Sequence, residues 1–525
     1  MLSGRSWVLG VSVKEVGEPF FGVNPRCGSS LDPPFYSATV ADGDAALEAA
    51  DAAFAEFSSL PGSRRAELLE AIACELEEGC DGLLERAHEE TALSLDRLAS
   101  ERARACHQLR LYGAEVRGEA WRGLRQESAQ PARRPVPCPD LRRMCVPLGP
   151  VVVFGASNFP LAYSVVGGDV ASALAVGCPV VVKAHEAHPG TSEIAARAII
   201  RAIARLGLPQ GVFALLHGPG PTVGTALVKH PLTTAVAFTG SLPAGRALWD
   251  AAAARPVPIP VFAEMGSINP IFILPGAMRA RPLEIAVGLA ASVNGGCGQF
   301  CTKPGLVVVH ESAGFDDFLA ALAGETRRAP AGIALHAGIA AAFRQRTRDW
   351  LGREGVAEVA RGCGSGQAQG AEVSSVLLRT DGETFVQNRG ILDQENFGPV
   401  CLVVTVKAPE EMFRVARGLG GQLTATIHKE EGDREASREL TRILMRKAGR
   451  LIQNGFPTGV EVCGAMTHGG PYPATTDSRF TSVGTAALER FLRPVTFQNF
   501  LQEDLPEPLR DGHAHSGSSV SFSSL

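Results

Sequence analysis

Cys301 is the residue of this chain best placed to do chemistry. It lies in Gly298-Gln299-Phe300-Cys301-Thr302-Lys303-Pro304-Gly305, after the approach Asn294-Gly295-Gly296-Cys297 and before the apolar run Leu306-Val307-Val308-Val309. Glycines let a backbone come close to a ligand, so this thiol can face a cleft rather than pack in a core. A cysteine that carries an acyl group needs a base to activate water and donors to hold an oxyanion. Glu264 fits the first need. It leaves the apolar Val261-Phe262-Ala263 into the turn Met265-Gly266-Ser267, 37 positions before the cysteine. Asn158, in Gly155-Ala156-Ser157-Asn158-Phe159-Pro160, fits the second, paired with the Cys301 N–H. Each has a bland alternative when taken alone. Most cysteines are small core residues, a strand-end glutamate is commonly ion-paired or capping, and an asparagine in a turn is an ordinary turn residue.

A second group of residues suits a dinucleotide. Lys183 and Glu186 end the run Val180-Val181-Val182. A carboxylate beside an adenosine ribose accepts from the 2′-hydroxyl and repels a 2′-phosphate. The turns His217-Gly218-Pro219-Gly220-Pro221-Thr222-Val223-Gly224 and Phe238-Thr239-Gly240-Ser241-Leu242-Pro243-Ala244-Gly245 open helices, whose N–H groups suit a pyrophosphate. Gly220, Gly240, Ser241 and Gly245 are the candidate contacts, although neither turn has the G-x-G-x-x-G spacing. Glu395 and Phe397, in Gln394-Glu395-Asn396-Phe397-Gly398-Pro399-Val400, are candidates for the nicotinamide ribose and ring.

The elements that must position these residues read as follows. Helical patterns cover 45–78, with a turn at Leu60-Pro61-Gly62, and a second block covers 83–116. Proline-rich 131–139 marks a boundary. Apolar runs at 151–154, 180–183, 212–216 and 235–238 alternate with helix-like segments, one of them through Leu174 and one over 191–206. That alternation predicts a parallel sheet covered on both faces, with ligands at the carboxyl ends of its strands. Residues 362–371 read as a loop and 477–500 as holding a terminal strand. The serine- and histidine-bearing tail reads as disordered.

Composition narrows the class. At 525 residues more than one domain is expected. A net charge of −5 gives no reason to expect nucleic acid or an anionic membrane as partner. The start shows no signal-peptide pattern. The most apolar window, 163–182, is interrupted by Asp169, glycines and a proline, so it reads as buried helix and strand rather than a membrane span. Twelve scattered cysteines favour reduced thiols and a cytoplasmic location. Cys297 and Cys301 have no matching second pair, so no metal site is expected. No histidine is obviously paired with Cys301, which disfavours an unrelated cysteine hydrolase.

Each signal is weak and their ordered combination is not. From about 38 to 499 the chain resembles the NAD(P)-dependent aldehyde dehydrogenase superfamily. The resemblance places the catalytic amide on Asn158, the ribose lysine on Lys183, the helix-opening turn on Gly240, Ser241 and Gly245, the base on Glu264, the nucleophile on Cys301 and the ribose glutamate on Glu395. A finer likeness is to α-ketoglutarate semialdehyde (2,5-dioxopentanoate) dehydrogenases. It rests on Phe154-Gly155-Ala156-Ser157-Asn158-Phe159-Pro160-Leu161-Ala162, His188-Pro189-Gly190-Thr191-Ser192-Glu193 and Gly266-Ser267-Ile268-Asn269-Pro270-Ile271-Phe272. The most specific pieces are Asn454-Gly455-Phe456-Pro457-Thr458-Gly459-Val460-Glu461-Val462-Cys463 and His468-Gly469-Gly470-Pro471-Tyr472-Pro473-Ala474-Thr475. A related bacterial fatty-aldehyde dehydrogenase shares much of the pattern.

The resemblance implies an α/β aldehyde-dehydrogenase fold. A Rossmann-like cofactor domain would take 1–124 and 146–266, and an α/β catalytic domain 267–476. An oligomerisation region would take 125–145 and 477–503, with a disordered tail at 504–525. It implies oxidation of an aldehyde to an acid with NAD or NADP, through a thioester on Cys301, in a homodimer or homotetramer. Glu186 stands where a neutral residue is expected for this type, which tilts the cofactor to NAD. Phe159, Phe300 and Phe456 are expected tunnel walls. A semialdehyde acid carries a carboxylate, for which Arg104 is the candidate clamp, against the alternative of a surface arginine. A fatty-aldehyde dehydrogenase, a CoA-acylating enzyme and a non-catalytic protein on the same fold are the rival readings. Cys297 is either a disulfide partner for Cys301 or plain packing.

Overall fold

The computed structural model describes residues 2–364 and 370–512. The expected alternation of apolar runs and helices forms a seven-stranded sheet. Its order is Val261–Glu264, Ala235–Thr239, Val151–Phe154, Val180–Lys183, Phe213–Leu216, then the short strands Trp7–Val8 and Val11–Ser12. The first five are parallel, and Trp7–Val8 is antiparallel to both of its neighbours. Every residue of Val151–Phe154, Val180–Lys183 and Phe213–Leu216 is buried, as two covered faces require. The chain builds outward from Val151–Phe154 in one direction, then returns to add Ala235–Thr239 on its other side. That reversal makes a switch point, where the carboxyl ends of adjacent strands part and leave a crevice. Asn158 and Gly240 follow the two strands that flank it.

A second seven-stranded sheet has the order Ala357–Arg361, Val376–Asp381, Val400–Val406, Leu306–His310, Ile271–Ile273, Gln422–His428, Ala448–Gln453. Only the first of these is antiparallel to its neighbour. A third sheet pairs Leu492–Gln498 with Leu141–Pro147 and that strand with Arg125–Glu127, all antiparallel. Among the described residues no helix is long and apolar enough to cross a membrane.

Three sequence expectations need correction. The block at 83–116 is two helices, Leu83–Thr91 and Leu95–Arg117, because Ala92 takes a left-handed conformation (φ 58°) that stops the first. The segment after Phe159 is not helical until Gly168–Val176. The tail is ordered further than expected. Leu505 and Leu509 pack on Met144 and Arg142 pairs with Asp511 at 2.7 Å, so residues 504–512 are built onto the third sheet. The rest of the tail, with His513 and His515, lies outside the described residues, as does 365–369 of the 362–371 loop.

Candidate active site

The nucleophile turn is shaped by three successive left-handed residues, Gly296 (φ 56°), Cys297 (φ 59°) and Gly298 (φ 65°), after the helix Pro282–Asn294. Gly298 has a steric reason as well: a β-carbon there would stand 2.3 Å from the Gly398 carbonyl carbon. The cysteine turn and the Glu395-x-Phe397-Gly398 turn are thereby pressed together. Asn269 braces the same turn, its amide donating to the carbonyls of Cys301 (2.8 Å) and Lys303 (3.0 Å). Asn158 lies on its other side, with its amide donating to the Gln299 carbonyl at 3.0 Å. Asn158 therefore flanks the backbone two residues before Cys301.

Glu264 ends its strand with its carboxylate buried. Backbone bonds from Met265 to Ala474 (2.8 Å) and from Thr476 to Ala263 (3.1 Å) tie that strand end to the loop carrying His468. His468 Nε2 lies 3.2 Å from Glu264 Oε2 and 3.5 Å from Cys301 Sγ. The Ser482 hydroxyl donates to Glu264 Oε2 at 3.2 Å, while Glu264 Oε1 is buried without a partner. Thiol, imidazole and carboxylate atoms all fall within 4.8 Å of one another. The expectation that no histidine pairs with Cys301 is thus overturned. His468 lies in a Gly-Gly-Pro loop remote in sequence, and no local spacing announces it.

Burial and the negative charge of Glu264 push the Cys301 thiol well above its ordinary range, with Arg104 opposing them. The free site therefore holds a neutral thiol, although a nucleophile needs the thiolate. Burial alone would raise the Glu264 carboxyl. Its interaction with His468 and its bonds to Cys301 and Ser482 bring it below the usual carboxylate range. The base is ready in its ionised form.

The cofactor candidates also assemble. Glu186 Oε1 lies 3.0 Å from Lys183 Nζ and accepts from the Gly220 N–H at 3.1 Å. A β-carbon on Gly220 would meet nothing within 4 Å, so the space beside that glycine is open. Ser241 caps the helix Leu242–Ala253, and Gly240 donates to the Glu264 carbonyl at 3.0 Å. A β-carbon on Gly245 would stand 2.5 Å from Met265 Cγ, so glycine lets that helix sit on the residue after the base. Glu395 reaches under Gly266, where an added β-carbon would lie 2.5 Å from its Oε2. Burial raises its carboxyl, and Lys303 opposes that rise. Phe397 follows in the same turn, partly buried.

Among the wall candidates, Phe159 and Phe300 pack at a tilt, 5.8 Å between ring centres, with the Arg97 guanidinium over both rings. Phe456 is not among those rings and packs instead on His428 (5.1 Å) and Gly288. Tyr163, which sequence reasoning passed over, meets Phe159 edge-to-face at 5.1 Å and lies 6.2 Å from the His468 ring. Arg104 donates to its hydroxyl at 3.2 Å. Cys297 is a free thiol packed on Gly332 and on the apolar cluster of the second sheet, and burial pushes it up to about 12.

Comparison with known proteins bears on this geometry. The model of the Aldehyde dehydrogenase family matches residues 22–493. The chain is 48% identical over 491 residues to alpha-ketoglutaric semialdehyde dehydrogenase 2 of Azospirillum brasilense, covering 93% of both chains. It is 45% identical over 513 residues to the alpha-ketoglutaric semialdehyde dehydrogenase of Acinetobacter baylyi, covering 97% of this chain and 96% of that one. Among solved structures, 3,6-anhydro-L-galactose dehydrogenase in complex with NAP matches with a TM-score of 0.79 at 22% identity, covering 94% of this chain and 99% of that one. Lactaldehyde dehydrogenase from Escherichia coli matches with the same TM-score and identity, covering 94% and 98%. At that identity the two structures speak for the fold alone.

Proposed function

The chain belongs to the aldehyde dehydrogenase family, and from that premise we propose that it oxidises 2,5-dioxopentanoate, the semialdehyde of 2-oxoglutarate, to 2-oxoglutarate. The observation that carries the chemistry is one thiol, one imidazole and one carboxylate within 4.8 Å. The names of two relatives at 48% and 45% identity support the substrate.

The ion pair of buried Lys183 with half-exposed Glu186 and the open space beside Gly220 fit a nicotinamide dinucleotide. Lys183 and Glu186 would hold the adenosine ribose, Ser241 and the Gly240–Gly245 turn the pyrophosphate, and Glu395 with Phe397 the nicotinamide end. When bound, the cofactor accepts hydride from the substrate carbon. The Glu186 carboxylate favours NAD over NADP, because a 2′-phosphate would meet it directly.

Cys301 passes its proton to His468 as its sulphur attacks the aldehyde carbon. The Asn158 amide and the Cys301 N–H stabilise the oxyanion, a donor pair worth ~2.7–4 kcal/mol per donor. Once the thioester has formed on Cys301, Glu264 takes a proton from water, whose oxygen attacks the acyl carbon. The C–S bond breaks, the sulphur recovers its proton from His468, the acid leaves and Glu264 returns its proton to solvent. Glu264 also argues against a CoA-acylating enzyme, which has no need of a water-activating base.

Residues 1–124 and 146–266 would hold the cofactor and 267–476 the catalytic turn. The third sheet, with Leu492–Gln498 at its edge, would pair subunits into a dimer or tetramer, since an unpaired edge strand is a ready template. Twelve free thiols suit a reducing cytoplasm. The deciding experiment is a panel of rates with NAD and with NADP, from succinic semialdehyde and 2,5-dioxopentanoate to long-chain aldehydes. A maximum kcat/KM on 2,5-dioxopentanoate is expected, and a maximum on a long-chain aldehyde refutes the substrate assignment.

A further inference from the structure

Cys301, His468 and Glu264 close a triangle. His468 Nε2 lies 3.5 Å from Cys301 Sγ and 3.2 Å from Glu264 Oε2, and the thiol bonds to the Glu264 carboxylate. Among the described residues no other three cysteine, histidine or acidic side chains bring their ligand atoms so close together. Cys297 and Cys301 offer no ligand spacing along the chain, but this set is assembled from three segments far apart in sequence.

A four-coordinate metal ion imposes its own spacing on its ligands. For zinc about 2.3 Å from sulphur and about 2.0 Å from nitrogen and oxygen, tetrahedral angles put sulphur about 3.5 Å from nitrogen and nitrogen about 3.3 Å from oxygen. The two measured edges match. A hydrogen-bonded triad has similar edges, so the carboxylate decides. Glu264 is 5% exposed and its Oε1 is buried with no partner, a costly state that a cation on that carboxylate relieves. The Ser482 hydroxyl donates to Oε2 at 3.2 Å and steadies the carboxylate from outside, as partners of metal ligands do. One thiolate, one imidazole and one carboxylate suit zinc or cobalt rather than magnesium or calcium, which take oxygen ligands. Three protein ligands leave a fourth position for water, and Cys301 is only partly buried, so an ion has a way in.

We propose that Cys301, His468 and Glu264 together bind a zinc-class divalent cation, and that the bound ion reversibly inhibits the enzyme. The thiol proton passes to solvent as the sulphur takes the metal. His468 binds as the neutral ring and Glu264 as the carboxylate, and nothing is oxidised or reduced. With the ion in place the sulphur is not free to attack an aldehyde, the imidazole cannot take its proton and Glu264 cannot activate water. The binding stands on the geometry, and the inhibition rests on the proposed oxidation through Cys301.

Cobalt(II) added to the metal-free full-length enzyme is the direct probe, because a thiolate ligand gives a charge-transfer band and a tetrahedral site gives intense d–d bands. One cobalt per chain is expected, displaced by zinc and with no thiolate band in Cys301→Ser. Binding should weaken about 100-fold or more in His468→Gln and in Glu264→Gln, since loss of an outer-shell partner alone costs a metal site about 10–100-fold. In the unaltered enzyme, zinc held at about ten times its dissociation constant should slow iodoacetamide alkylation of Cys301 about 10-fold, the metal-free fraction. Oxidation of aldehyde held well below KM should slow to match, EDTA should restore both rates, and magnesium should change neither. A thiolate band that survives Cys301→Ser, or binding undiminished in the other two variants, overturns the site. Unchanged alkylation under zinc overturns it without any variant. The two failures separate. No thiolate band in an active enzyme removes the metal site and leaves the oxidation standing, whereas a band at Cys301 in an enzyme that oxidises no aldehyde removes the oxidation and leaves the ligand set.

Discussion

His468 Nε2 bridges Cys301 Sγ and Glu264 Oε2, at 3.5 and 3.2 Å. The histidine is buried, and its backbone N–H donates to the Thr481 hydroxyl at 2.8 Å. An imidazole between thiol and carboxylate gives the thiol proton somewhere to go. His468→Gln is expected to lower kcat/KM by about 10²–10³, with thermal stability little changed. Stopped-flow measurement of the first turnover reads this directly, and wild-type rates of acylation would exclude the role.

Glu264 has a separate duty after acylation. Replacing it by glutamine keeps the shape and removes the base, so Glu264→Gln should release one equivalent of reduced cofactor and then stall as the thioester. Steady-state turnover should fall by about 10² or more. Intact-mass detection of the acyl-enzyme would establish it; undiminished turnover would show that another group activates water.

The free thiol should be sluggish at neutral pH. Its pKa is raised by burial and then by Glu264, so the thiolate fraction is small below the raised value and grows as pH climbs toward it. Alkylation of Cys301 by iodoacetamide in the cofactor-free enzyme should therefore keep accelerating beyond the range of an ordinary thiol, about pH 8.5. Removing a negative neighbour lowers a thiol pKa, so Glu264→Gln should alkylate faster than wild type at pH 8. A slower variant would contradict the electrostatic account.

Much of this site was legible in the sequence, and the gaps have a common cause. Cys301, Glu264, Asn158, Lys183 and Glu395 each follow or precede an apolar run, so strand-end logic finds them. His468, Asn269 and Tyr163 do not advertise themselves. Their importance comes from which loops are folded together, here by the bonds joining Met265 to Ala474 and Thr476 to Ala263. Phe456 shows the reverse: an aromatic in a suggestive motif that packing has used elsewhere. The break at Ala92 was invisible because alanine is an excellent helix former, and the left-handed conformation there is imposed by tertiary context.

Cofactor preference should yield to one residue. Glu186 is about half exposed and bonded to Lys183 and Gly220, so it can change with little structural penalty. Glu186→Gln removes the charge that opposes a 2′-phosphate while leaving Lys183 to attract it. The ratio of kcat/KM for NADP to that for NAD should rise by about 10-fold or more, on the scale of one charged contact. An unchanged ratio would place discrimination elsewhere in the adenosine site.

The last prediction concerns the turn on which the nucleophile rides. Gly298 has a positive φ of 65°, and a β-carbon there would stand 2.3 Å from the Gly398 carbonyl carbon and 2.4 Å from its oxygen. Both obstacles are backbone, so no rotamer change can relieve them. The left-handed conformation alone costs about 1–2 kcal/mol for a residue with a side chain, and forcing the two turns apart adds about 1–3 kcal/mol. Gly298→Ala should lower the temperature of thermal inactivation by several degrees. It should also reduce kcat, because the same displacement moves Cys301 away from His468 and Glu395 away from Gly266. Gly220→Ala is the control, since a β-carbon there meets nothing within 4 Å and φ is not positive. Equal stability losses in the two variants would show that the contact between the cysteine and glutamate turns is not what holds the site together.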